Sequence, residues 1–102
     1  MDREQFLHSI KSDNLEAKDI VVNFFDQYML LYDLIDTVKD TTIINSNKSS
    51  ISFQLDFSND ESVIKLCEKI EAYPVVTIFN SVFNISYSAK KESPSVIINI
   101  QC

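Results

Sequence analysis

LEAKDIVVNFFDQYMLLYDLIDTV, running from Leu15 to Val38, is the segment around which the chain is organised. Within it Ala17, Val21, Phe24, Tyr28, Leu31, Ile35 and Val38 recur at alternating intervals of four and three residues, the a/d spacing that puts side chains on one stripe of an α-helix. The spacing predicts one long helix that closes by Lys39 or Asp40. At about 1.5 Å per residue such a helix reaches roughly 36 Å, enough to cross a small domain. Ile20, Val22, Phe25, Met29, Leu30, Tyr32 and Leu34 spread apolar area beyond the stripe, so the helix expects cover on more than one side. The narrow polar strip that remains carries Asp19, Asp26, Asp33 and Asp40 at intervals of seven, with Asn23 and Thr37 between them.

On the N-terminal side, Phe6, Leu7 and Ile10 fall at helical spacing behind an acidic first turn, which predicts a short helix over Asp2 to Lys11. Ser12-Asp13-Asn14 breaks it and offers Asp13 or Asn14 as the N-cap of the long helix. On the C-terminal side, the β-branched run Thr41 to Ile44 reads as a first strand and Asn45 to Ser50 as a polar turn. Ile51, Phe53, Leu55 and Phe57 alternate with Ser52, Gln54 and Asp56, the pattern of a strand with one face in the core. Ser58 and Glu61 have the capping-box spacing, and the helix they introduce turns Val63, Leu66, Cys67 and Ile70 inward before Pro74 ends it. Val75 to Phe79 suits a strand buried on both faces. Asn80-Ser81 is either a two-residue turn or a bulge in one long strand, and two alternating segments follow, Phe83-Ile85-Tyr87 and Val96-Ile98-Ile100. The expected fold is therefore α+β: two N-terminal helices, the second long, then β-β-α-β-β with a further strand if Asn80-Ser81 is a turn. A mostly antiparallel sheet would pack against the long helix.

At 102 residues the chain reads as one domain, an acidic helical part over 1–40 followed by a strand-rich part over 41–102, and that length buries enough surface to fold without a metal or disulfide. Glycine is absent. Turns must then rely on Asn, Asp, Ser and Pro, and neither G-x-G-x-x-G nor a P-loop can be written. The net charge of −6 argues against direct nucleic-acid binding, which needs Lys and Arg against phosphates. No signal-peptide layout opens the chain, and Asn23, Asp26, Gln27 and Asp33 interrupt the apolar run, so no membrane span is expected. A cytoplasmic location follows, in a bacterial cell or the host cell of a virus; the many Ile, Asn, Ser and Lys residues suit an AT-rich coding sequence of that kind.

No catalytic group, cofactor site or metal site is expected. His8 is the only imidazole, there is no C-x-x-C, and two helix carboxylates such as Asp33 and Asp36 make a poor cation site alone. The first forty residues hold nine acids against four bases, and the rest six against five, so the charge resides on the helices. Asp19, Asp26, Asp33 and Asp36 then form the expected contact surface for a protein with a basic face, such as a nuclease or other nucleic-acid-binding protein. Val22, Phe25, Met29 and Leu30 are the apolar part of that surface if the sheet leaves them uncovered. The competing account is that the N-terminal helix folds back and covers them with Phe6, Leu7 and Ile10. The function that this supports is a small acidic, non-enzymatic binding module that inhibits a partner, of the phage anti-defence (anti-CRISPR) or toxin-immunity type. The alternative is a homodimeric adaptor or chaperone-like assembly protein with the long helix as its seam.

Overall fold

The computed structural model describes residues 3–10, 12–30, 34–47, 49–78, 80–89 and 94–101. Three α-helices and a five-stranded antiparallel sheet make an α+β fold. In chain order these are α1 (Arg3–Ser9), α2 (Leu15–Phe24), β1 (Val38–Ser46), β2 (Ser50–Phe57), α3 (Asp60–Ala72), β3 (Val75–Ile78), β4 (Ser81–Ala89) and β5 (Ser95–Gln101). The sheet order is β1-β2-β5-β4-β3, which sets the last strand in the middle.

The expected long helix is three shorter pieces. Its α-helical part starts where Asn14 caps it, the side chain accepting from Ala17 N–H at 3.1 Å. It ends at Phe24, passes into a π-helical turn, Phe25–Leu30, and a 3₁₀ turn, Ile35–Thr37, leads directly into β1. Val38 keeps the burial that the heptad spacing assigned to it, but as a strand residue opposite Phe57. β-branched Val38, Thr41, Thr42, Ile43 and Ile44 lose rotamer freedom in a helix and suit a strand, and the pairing that begins with Val38 opposite Phe57 decides where β1 starts. β1 is thus longer than Thr41 to Ile44 at both ends.

One face of the sheet is covered by the helices. Ile51, Phe53, Leu55 and Phe57 of β2 pair in register with Ile100, Ile98 and Val96 of β5 and with Val38 of β1, and all are buried. α3 crosses over β2, β5 and β4, while α2 lies against β3. Phe24 meets Phe53 edge-on with ring centroids 5.2 Å apart, and Tyr28 stacks on Phe24 at 4.9 Å. The opposite face carries no helix and is lined by Ser52, Gln54, Asp56, Asn84, Ser86, Ser88 and Asn99.

Three further expectations are corrected in detail. The N-cap of α3 is Asn59, not Ser58: its side chain accepts from Ser62 N–H at 2.9 Å, one residue later than the capping box would place it. β3 is an edge strand with alternate residues exposed, so Val75 and Thr77 face solvent where a strand buried on both faces was expected. An antiparallel sheet with one open face has no second layer to cover them. Finally, Ile78 pairs with Ser81, so a hairpin turn and not a bulge separates β3 from β4; Asn80 lies in that turn, and Ser81 is already the first residue of β4. Asn80 adopts φ 64°, the left-handed geometry that Asn tolerates in place of glycine.

Candidate functional site

The fold disperses the acidic strip. Asp19 is exposed on α2, Asp26 is half-buried in the π turn, and Asp36 is exposed in the 3₁₀ turn. Asp40 lies on β1, on a different element and in a different layer. Asp33 falls outside the described residues. A spacing of seven makes a line only while the helix lasts, and the helix ends first.

The apolar part of the expected surface is covered. Val22 is 4% exposed and Phe25 0%, so neither offers a contact face. Phe6 of α1 stacks on Phe25 with centroids 3.9 Å apart and planes 14° from parallel, and Ile10 is buried beside it in the same core. The N-terminal helix thus folds back and supplies the second cover that an all-round apolar helix requires. Met29 and Leu30 contribute their backbone to the π turn, and their side chains lie outside the described structure.

Pairing creates a different acidic juxtaposition. Asp40 stands directly opposite Asp56 on the helix-free face of β1 and β2. Asp40 Oδ1 accepts from Thr41 N–H at 2.9 Å, and Asp56 Oδ1 accepts from Gln54 Nε2 at 2.8 Å and from the hydroxyl of Ser95. These bonds fix both carboxylates at the wall of a concavity of about 410 Å³, which Lys39, Phe57, Pro94 and Ser95 complete. Like charges directly across a strand pair oppose each other, so a cation delivered there would be welcome. A smaller concavity of about 190 Å³ lies where α2 begins, lined by Asn14, Glu16, Ala17, Ile20, Ser46 and Asn47. Two of these lining residues are joined by a hydrogen bond, Asn14 Nδ2 donating to Ser46 Oγ at 3.2 Å. The alternation of β2 already put Asp56 on a polar face; that Asp40 would stand opposite needed the strand register.

A third group of ionisable side chains lies where α3 meets β4. The Tyr87 hydroxyl donates to Glu71 Oε1, and that bond, with slight desolvation and the Glu71 charge, pushes the phenol up to about 12 from 10.0. Burial, and secondly Glu71, raises the Cys67 thiol, which makes it a poor nucleophile. Nothing in this trio pairs a nucleophile with a base. Among the described residues no three His, Cys, Asp or Glu side chains stand together to hold a metal ion, and no helix is long and apolar enough to cross a membrane.

No family model, curated protein or solved structure matches this chain. The chemistry on the sheet is that of two carboxylates held by hydrogen bonds, Asp40 exposed and Asp56 half-buried.

Proposed function

We propose that the protein is a non-enzymatic binding module that occupies a basic surface of a partner protein, in the manner of an inhibitor. The observation that carries the reading is the Asp40–Asp56 pair, set side by side at a concavity on the helix-free face of the sheet, while Glu16, Asp19 and Asp36, exposed on the helical layer, add to the acidic field from the other side. Such a surface steers a cationic partner and rejects acidic ones. The concavity beside Asp40 has room for a Lys or Arg side chain, and the guanidinium of Arg would suit carboxylates set side by side. Phage-encoded inhibitors of bacterial defence and immunity proteins against toxic nucleases are of this size and acidity, and their targets carry the basic surface in question. Val22 and Phe25 are already covered within one chain, which takes two of the four expected apolar residues out of a helix-seam homodimer and favours the first reading.

The test is affinity capture from cytoplasmic lysate with the wild type and with Asp19→Lys combined with Asp40→Lys, both exposed positions. The wild type is expected to retain basic proteins that elute as salt approaches about 0.5 M, where exposed charges are screened. The reversed variant, folded by circular dichroism, is expected to lose them by more than about tenfold, since like-charge juxtaposition costs several kcal/mol. Equal capture by the two proteins would leave the acids as a solvated surface and nothing more.

A further inference from the structure

The two edges of the sheet are closed by different means. β1 carries Lys39 and Asp40 and is broken by register shifts between Val38 and Asp40 and between Ile43 and Asn45. Charges and bulges are the ordinary ways in which an edge is made unfit for a further strand. β3 has neither. It lies in a run of eighteen residues, Ala72 to Ala89, without one Asp, Glu, Lys or Arg, in a chain that is 24% charged. It pairs with β4 without a register shift, and Tyr73, Val75 and Val82 beside it are 60%, 48% and 62% exposed.

What β3 has instead is a set of caps. Ile85 N–H donates to Pro74 O at 2.8 Å, so Pro74 faces β4. By the alternation of a strand, Tyr73, Val75 and Thr77 then turn their backbone groups outward. All three outward carbonyls accept from side chains of the π turn. Gln27 Nε2 donates to Thr77 O at 2.9 Å, and the Tyr28 hydroxyl lies against Tyr73 O and against Val75 O, the latter at 2.9 Å. A hydroxyl has a single proton, which Tyr28 shares between those two carbonyls.

We propose that Gln27 and Tyr28 are an edge guard, occupying the acceptors through which β3 of a second copy would add, and that without them two chains join β3 to β3 antiparallel about a twofold axis. Charge selects the second copy as the occupant. A chain of net charge −6 repels its copies over most of its surface, but the uncharged run meets its own image without that opposition. Exposed Tyr73 and Val75 would then be buried at the junction. The joined sheet would end in β1 on both sides, where the register shifts forbid further addition, so growth closes at two copies.

The test is Tyr28→Phe combined with Gln27→Ala, followed by sedimentation equilibrium over a range of concentrations. The wild type is expected to sediment as a monomer of 11.7 kDa throughout. The double variant is expected to show twice that mass in a share that rises with concentration, and Val75→Lys added to it should restore the monomer. A folded double variant that stays monomeric overturns the proposal, as does a dimer that Val75→Lys leaves intact, or growth past two copies into fibres. If the double variant fails to fold, Tyr28→Phe combined with Gln27→Met, which keeps the ring on Phe24 and the length of the Gln27 side chain while removing both donors, carries the test on the same readout, and its remaining monomeric overturns the proposal.

Discussion

Thr41 is the residue at which the core is least satisfied. Its side-chain oxygen is buried on the helix-facing side of β1, opposite Leu55, and among the buried side-chain polar atoms of the described residues it alone lacks a hydrogen-bond partner. Desolvating a hydroxyl without replacing its bond with water is unfavourable, so Thr41→Val, which keeps the shape, should stabilise the fold by about 1 kcal/mol in urea unfolding. Tyr87 is the opposite case, a hydroxyl with a strong acceptor. Its pKa is raised to about 12 from 10.0, chiefly by the bond to Glu71. The folded state therefore holds this proton more tightly than the unfolded state. The added stability is fully present below pH 10 and is lost as pH rises through about 12. Thermal melts across that alkaline window should fall more steeply for the wild type than for Tyr87→Phe. Helical spacing put Cys67 on the buried stripe of α3, where the structure leaves it half-buried, whereas the Tyr87–Glu71 bond was not legible, because it forms only when α3 is laid on β4.

At the scale of the element, apolar spacing located burial more faithfully than it located helix. Ala17, Val21, Phe24, Tyr28 and Val38 are all buried as the heptad required, yet the first three lie in an α-helix, the fourth in a π turn and the last in a strand. The strand pattern of Ile51 to Phe57 was unambiguous, since period two has no helical competitor, and every second residue there is buried. Caps were half legible. Asn14 was one of two candidates; at α3 a capping box and a plain Asn cap overlap within four residues, and Asn59 accepts the bond. Asn59→Ala should therefore cost about 1 kcal/mol. Ser58→Ala should stay within about 0.5 kcal/mol, as surface substitutions usually do. Chemical denaturation of the two variants separates the assignments directly.

For the whole molecule, the deciding contact is Phe6 on Phe25. It joins α1 to the π turn across nineteen positions of sequence and turns an apparent interface into core. Phe6→Ala should destabilise the protein by about 3–5 kcal/mol, the range for emptying a buried aromatic site. It should also raise the binding of an apolar dye under native conditions by uncovering Val22 and Phe25. A variant with the stability loss but no added dye binding would show that the helix collapses onto the cavity instead. The charge distribution follows the same logic. The excess of acid in the first forty residues was plain from the letters, but their division between the helical layer and the Asp40–Asp56 pair depended on where a helix stopped and how two strands aligned.

Local chemistry was enough to establish the α+β class, the faces of β2, β4 and β5, the helix after Phe57 and the acidity of the N-terminal part, because each depends on side chains within one or two turns of each other. Three matters lay with the tertiary structure: the order β1-β2-β5-β4-β3, the early end of the helix at Phe24, and the cover that α1 gives to Phe25. Each is settled by contacts between segments far apart in sequence, whose combined burial and pairing outweigh local preferences of a few tenths of a kcal/mol per residue.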